Sequence, residues 1–182
     1  MKKIVLTWGL ISGVVLAVVM WATLPRAFSG KDAMHADNMM LIGYSSMVLA
    51  FLMVFFGIRA YRENVGGGRV TWGKAFQVGI LIALIGSAMY VLSWQVMSYT
   101  LFPDFAERYA ASAIRKLEAK GAPPAEIEKT RKEMAEFAEM YKNPLVNIGM
   151  TFMEVFPVGL LMTLIAATAL RRREGRMEAV AA

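Results

Sequence analysis

The sequence has no cysteine, a single histidine and little charge. Of its 182 residues, 19% are Asp, Glu, Lys or Arg. Without cysteine the chain cannot form disulfide bonds, bind a metal through thiolates or use a thiol nucleophile. His35 alone cannot build a histidine-based zinc site. The hydrophobic fraction of 57% and the mean hydropathy of +0.47 also exclude an intrinsically disordered chain.

Motifs that mark common enzyme classes are missing as well. The chain contains no Gly-x-Ser-x-Gly nucleophile elbow and no pair of carboxylates at a spacing typical of acid/base catalysis. Three consecutive glycines at 66–68 lack the Gly-Lys-Ser/Thr ending of a P-loop and a preceding strand. We therefore expect a protein that is not an enzyme and that binds no cofactor.

What the chain has in excess is hydrophobic sequence, concentrated in four long segments. Each is about as long as the ~20 residues that a helix needs to cross a ~30 Å hydrocarbon layer. Each must be helical, because lipid offers no hydrogen-bond partner to backbone N–H and C=O groups. The first segment is too long for a signal-peptide core and is followed by no clean cleavage site, so we expect it to remain as a span. We predict an all-α integral membrane four-helix bundle with spans at 4–24, 39–58, 75–102 and 145–170.

The distribution of Lys and Arg predicts the orientation of these spans. The first connection carries two basic residues, Arg26 and Lys31, and the third carries eight basic and eight acidic residues. Since cytoplasmic loops are rich in Lys and Arg, we expect both termini to be cytoplasmic in a bacterial inner membrane. The net charge of +6 then reflects topology and attraction to anionic lipid rather than nucleic-acid binding. Ten basic residues support this orientation: Lys2, Lys3, Arg59, Arg62, Arg69, Lys74, Arg171, Arg172, Arg173 and Arg176.

The third connection, residues 103–144, is polar and has the pattern of two helices. The first is predicted over 104–120, and the following Gly-Ala-Pro-Pro breaks it, with Pro124 suited to the first turn of the next helix. We therefore predict an extramembrane helical hairpin inserted into a single membrane domain. Its second helix has one apolar stripe, which either packs on the hairpin or the membrane surface or docks a partner protein. The stripe consists of Ile127, Thr130, Met134, Phe137 and Tyr141.

Small residues recur at four-residue spacing in three of the spans. Such rows let helix backbones approach closely, which favours helix association in membranes. The rows serve packing within the bundle, or the first of them forms a homodimer contact. They are Gly9, Gly13 and Ala17; Gly79, Ala83 and Ser87; and Gly159, Thr163 and Ala167.

The fourth span contains Glu154, the one acidic residue within the predicted spans. An ionisable side chain there costs roughly 3 kcal/mol on insertion scales, so it normally faces the bundle or a water-filled cavity. Pro157 removes a backbone N–H one turn later and so frees the Met153 carbonyl. Polar residues of three spans share a depth of roughly 8 to 14 Å. We predict that they form one intramembrane polar cluster: Glu154, Thr151, Asn147, Gln95, Tyr44 and Ser45.

Two uses of this cluster are open. A structural hydrogen-bond network is favoured over a proton or ion site, because one acid without a second acid or a histidine makes a poor relay.

Two further groups have a functional and a structural interpretation. Arg59, Arg62 and Arg69 flank the three glycines and are candidate contacts for lipid headgroups, or they anchor a flexible turn. Thioether and imidazole groups cluster at the outer end of the second span and could bind Cu(I), although methionine is also ordinary apolar filler in the spans. These are Met34, His35, Met39 and Met40. We expect no metal site here.

The stretch FFGIRAYRENVGGG at 55–68, continued by GKAF at 73–76, resembles a bacterial family of small four-span membrane proteins. That family is catalogued as domain of unknown function 4199. The segments YSSMVLAF at 44–51 and FPDF at 102–105 fit it too, so the resemblance covers most of residues 4–170. It implies a four-helix integral membrane protein and offers no catalytic residues to transfer.

Taken together, these features favour a non-enzymatic structural or accessory subunit of the inner membrane. The alternative is a small transporter or ion-linked carrier that uses the Glu154 face, as a homodimer, since four spans rarely enclose a full pathway. The expected partners are the lipid bilayer and either a second copy or another membrane protein, with no nucleic acid.

Overall fold

The computed structural model describes the backbone of residues 1–28 and 36–171, and the side chains of 1–25 and 41–171. Several residues that the sequence analysis singled out lie outside this description, in whole or for their side chains: Arg26, Lys31, Met34, His35, Met39, Met40, Arg172, Arg173 and Arg176.

The described chain is all-helical, with no strand in these ranges, as predicted. The six helices are α1 (Lys2–Phe28), α2 (Ala36–Asn64), α3 (Trp72–Thr100), α4 (Phe105–Ala119), α5 (Pro124–Tyr141) and α6 (Pro144–Leu170). Four of them contain segments long and apolar enough to cross a membrane: Lys2–Pro25, Leu41–Asn64, Trp72–Thr100 and Pro144–Leu170. The prediction of an integral membrane protein with four spanning helices is therefore confirmed.

The second helix continues past its apolar segment, to Asn64 rather than to Ile58. Arg59 and Glu63 stand one turn apart and form an ion pair, with 2.9 Å between Nε and Oε1. Such a pair stabilises an exposed helix by a few tenths of a kcal/mol, about 0.2 to 0.5. Because nothing before the glycines interrupts the hydrogen-bond ladder, the helix outlasts the hydrophobic run that defines the span.

One compact unit contains α1, α2, α3 as far as Leu92 and α6 from Glu154 onward. Its centre is fully buried and apolar, with Phe51, Val54 and Ile58 of α2 packed with Ile82 of α3 and Val155 of α6. The ring of Trp8 in α1 stacks on Phe56 of α2 at a centroid distance of 5.9 Å. This unit is a four-helix bundle.

Each row of small residues contributes to helix contacts inside this unit. A Cβ added to Gly9 would lie 2.8 Å from Cβ of Ile85, so α1 packs directly on α3. A Cβ on Gly79 would lie 2.8 Å from Cγ2 of Thr163, and one on Gly159 would lie 3.0 Å from Cβ of Ala83. The rows therefore bring backbones of the same chain together, which is one of the two uses predicted from the sequence.

The second compact unit, residues 93–153, contains the end of α3, helices α4 and α5, and the start of α6. Helix α4 ends in a Schellman motif, in which Gly121 has φ +69° and the Ala122 N–H donates to the Leu117 carbonyl at 3.1 Å. The stripe of α5 is half-buried at all five positions, and its rings contact rings of α4, as in the Tyr109–Phe137 pair at 5.8 Å. The hairpin thus packs its apolar stripe on itself.

The close approach at Gly79 yields a stability prediction. We expect Gly79→Leu to destabilise the protein by about 1 to 3 kcal/mol, because the new side chain must displace Thr163 or separate α3 from α6. Thermal unfolding in detergent, followed by circular dichroism, measures the effect. Gly43→Leu is the matched control, since a Cβ there meets no atom within 4 Å. Equal losses in the two variants would contradict close helix packing as the cause.

Candidate functional site

Three of the six predicted cluster residues form a hydrogen-bond network in the second unit, in which Asn147 and Thr151 are buried and Gln95 is half-buried. Nε2 of Gln95, on α3, donates to Oδ1 of Asn147, on α6, at 2.8 Å. Oγ1 of Thr151 donates to the Asn147 carbonyl oxygen at 2.8 Å and approaches its Oδ1 at 3.4 Å. Asn147 and Thr151 are 7% and 6% exposed. A buried amide needs such partners, because an unpaired polar group in an apolar environment costs about 1 to 3 kcal/mol.

A second hydrogen bond lies beside this network and was not predicted from the sequence. Nε1 of Trp94 donates to the Tyr141 hydroxyl at 2.8 Å. Phe105 completes an aromatic cluster, with ring centroids 4.8 Å from Trp94 and 5.7 Å from Tyr141. One signal in the sequence is related to this contact: Trp94 and Gln95 are adjacent, and their partners Tyr141 and Asn147 flank the start of α6.

The other three cluster residues, Glu154, Tyr44 and Ser45, belong to the first unit and have exposed side chains. Tyr44 is 46% exposed, and the neighbouring Ser46 donates to the Gly43 carbonyl oxygen at 2.7 Å. Within the part of the chain that the structure describes, the carboxyl group of Glu154 has no hydrogen bond or ion pair. A single cluster of all six residues stays a prediction.

In the turn at Gly66–Gly68, which arginines flank, two backbone N–H groups already donate hydrogen bonds within the chain. The Gly66 N–H donates to the Tyr61 carbonyl at 3.0 Å and the Gly68 N–H to the Arg62 carbonyl at 2.9 Å, so these two groups already terminate α2. Gly67 and Gly68 have φ of +58° and +83°, which suits glycine. The backbone at Gly66 and Gly68 therefore favours a structural turn over a phosphate cradle.

The arginine side chains around this turn differ in whether they form ion pairs. Glu63 accepts from Arg59 and lies 3.6 Å from Arg62, whereas Arg69 is exposed and forms no ion pair within the described residues. The role of Arg59, Arg62 and Arg69 as lipid-headgroup contacts stays a prediction, and Arg69 is the most available of the three.

The hairpin surface carries charges that pair locally. The hydrogen bond from Arg108 lowers the pKa of Asp104, and the hydrogen bond to Glu139 raises the pKa of Lys142. Both shifts favour the charged forms, so these groups stay ionised around neutral pH. A cleft of about 230 Å³ near them is smaller than the roughly 300 to 1,000 Å³ of small-molecule sites.

No group of three or more His, Cys, Asp or Glu side chains that could hold a metal ion occurs among the described residues. The side chains of the methionine–histidine group near the start of the second span, Met34, His35, Met39 and Met40, lie outside them.

The Gln95–Asn147 pair predicts a non-additive mutational effect. We expect Gln95→Leu or Asn147→Leu alone to cost more than half of the loss in the double variant, because each single change leaves one buried amide unpaired. The interaction energy should be about 0.6 to 2 kcal/mol, as for hydrogen bonds between membrane helices. Unfolding free energies in lipid bicelles for wild type, both single variants and the double variant give this energy. Strictly additive losses would show that the two amides are not coupled.

Comparisons with known proteins complete this description. No curated protein matches the chain, and no solved structure matches it. One family model matches residues 7–172, which leaves only short segments at the two ends of the 182-residue chain uncovered. The family is described as a protein of unknown function, so its match assigns no activity to the chain. The resemblance found in the sequence is confirmed: the chain belongs to the DUF4199 family of proteins of unknown function.

Proposed function

We propose that this chain is a non-enzymatic accessory subunit that binds another membrane protein through the Glu154 face of α6. We define this face by four residues spaced at three, four and three positions, all with exposed side chains: Glu154, Pro157, Leu161 and Leu164. The spacing is that of a helix–helix seam. The exposed carboxyl group within an apolar span is the observation that carries the proposal.

The position of Glu154 along its helix determines its depth in the hydrocarbon layer, and the depth determines the free-energy cost of an ionisable side chain there. It lies ten residues after Pro144, the first residue of α6, which is about 15 Å along the helix axis. That distance is near the middle of a hydrocarbon layer about 30 Å thick. An ionisable side chain at such a depth costs roughly 3 kcal/mol and normally pairs with another polar group. Since the structure leaves Glu154 exposed, a partner helix is the natural source of that group.

The chemistry of the partner follows from what this chain lacks. The predicted spans contain no Lys or Arg, so a second copy would bring a second Glu154 to the same depth and no base. A carboxylate is best paired with a basic group or with a strong hydrogen-bond donor such as Asn, Gln or His. We therefore infer a different membrane protein whose spanning helix carries such a residue.

An ion-linked carrier is the second candidate, and Pro157 favours it. Proline lacks an N–H, so the Met153 carbonyl one turn earlier loses its helical donor and can accept from another group. A carboxyl group close to a free carbonyl is suited to cation binding. The exposed position of Glu154 favours docking over transport, because a carrier needs its polar groups in an enclosed pathway.

Site-specific photo-crosslinking in native membranes tests the docking proposal. We expect a photoreactive residue at Leu161 to crosslink one defined membrane protein, and Glu154→Leu to reduce that crosslink strongly, while Glu154→Gln retains part of it as a hydrogen-bonding group. Leu49 and Val18 are matched controls, since each is 61% exposed on another helix and lies outside the Glu154 face.

The same experiment distinguishes the competing functions. Crosslinks of equal strength at Leu49 and Leu161, or a partner unaffected by Glu154→Leu, would contradict docking through this face. A crosslinked product of twice the chain's mass would identify a homodimer instead. Cation flux in proteoliposomes that Glu154→Gln abolishes would favour the carrier.

We further propose that both termini lie in the cytoplasm and that the α4–α5 hairpin lies outside it, in a bacterial inner membrane. The asymmetric distribution of Lys and Arg supports this orientation. Because the chain has no cysteine, single cysteines report topology cleanly. We expect a membrane-impermeant maleimide to label Lys120→Cys in intact spheroplasts, and Arg69→Cys after lysis alone. The reverse pattern would invert the topology.

A further inference from the structure

Two fully buried hydroxyl groups in the first unit have no hydrogen-bond partner among the described residues. Oγ of Ser12, on α1, and Oγ of Ser87, on α3, are each inaccessible to solvent, and both residues are 0% exposed. A buried donor left unpaired costs about 1 to 3 kcal/mol. Native proteins contain few such groups, and each of them calls for a partner such as a buried water molecule.

Several other hydroxyl groups of the spans have a partner in their own helix. Six described Ser and Thr side chains donate to a backbone carbonyl three or four residues earlier, at 2.7 to 3.0 Å, which is the usual arrangement for Ser and Thr in a helix. They are Thr23, Ser46, Ser98, Thr100, Thr151 and Thr163. Ser12 and Ser87 make no such bond, although both are fully buried.

Each of the two serines lies on a helix face that packs against another helix. A Cβ added to Gly86 would lie 3.0 Å from Oγ of Ser12 and 3.3 Å from the ring of Phe51, so Ser12 and Phe51 flank the bare backbone of Gly86. Ser87 lies on the face of α3 that packs against α6. The contact pairs Gly79–Thr163 and Ala83–Gly159 run antiparallel and place Ser87 at the level of Val155.

We propose that the core of this bundle binds ordered water at Ser12 and Ser87. Water is the ligand that fits, because it both donates and accepts, and it is small enough to lie between packed helices. Buried water typically makes about three hydrogen bonds to protein groups. Helix carbonyls on the seam supply the remaining acceptors, since each oxygen has a second lone pair. This site is independent of docking at Glu154.

Radical footprinting with X-ray-generated hydroxyl radicals tests the proposal, because buried water molecules produce radicals next to the residues they contact. In proteoliposomes of the full chain we expect oxidation of Phe51, which is 0% exposed and lies across Gly86 from Ser12. The Ser12→Ala/Ser87→Ala variant should lose this oxidation. Thr163→Val is the control that should keep it, since Thr163 is equally buried but donates within its own helix. Tyr109, 50% exposed on the hairpin, reports the radical dose.

The melting temperature provides a second readout. Bound water and its absence predict different changes in the melting temperature of the alanine variants. Loss of water-mediated hydrogen bonds should lower the melting temperature of Ser12→Ala and Ser87→Ala. If the hydroxyl groups instead rotate to their own helix carbonyls or stay unpaired, alanine should leave the melting temperature unchanged or raise it. An unmodified Phe51 in the wild type at full Tyr109 oxidation, or alanine variants that do not lose stability, would overturn the proposal.

Discussion

The structure depends on one constraint: a hydrocarbon layer offers no hydrogen-bond partner, so polar groups within the spans must be satisfied by protein or by bound water. The backbone meets this demand by forming helices across the hydrophobic segments. Six of the described hydroxyl groups of the spans meet it by donating to their own helix, as Thr163 does to Gly159 at 2.8 Å. A side-chain amide carries two donor hydrogens and an acceptor oxygen, which one helix carbonyl does not satisfy, and the amides of Gln95 and Asn147 pair with each other across two helices.

The same constraint determines how the helices associate. Hydrophobic residues gain little by leaving lipid for another helix, so close packing of backbones must supply the association energy. Gly9, Gly79 and Gly159 allow that approach, and each contacts a neighbouring helix at a distance that a larger side chain would not permit. Exposed apolar residues outside the Glu154 face, such as Val18 and Leu92, are suited to contact with lipid, which in a membrane protein requires no further partner.

The spans and the hairpin could be predicted from the sequence because composition and helical periodicity depend on nearby residues. The Gln95–Asn147 bond could also be predicted, since residues of different spans can meet when they lie at the same depth in the membrane. The Trp94–Tyr141 bond was harder to predict, although Trp94 adjoins Gln95, because its geometry depends on how α4 and α5 close over the 47 residues between the two rings. A shared helix face does not fix the burial of every residue on it: Asn147 is buried, and Glu154, seven residues or about 10 Å further along α6, is exposed.

The polar groups without a partner differ in the free-energy cost of leaving them unpaired. A hydroxyl such as that of Ser12 costs about 1 to 3 kcal/mol when unpaired, which one buried water molecule can offset. An ionisable carboxyl group exposed on a span, such as that of Glu154, costs as much or more. Water held between helices suits the first group, and a second helix bearing a donor or a base suits the second. Burial of Ser12 and exposure of Glu154 therefore point to different partners, one inside the bundle and one outside it.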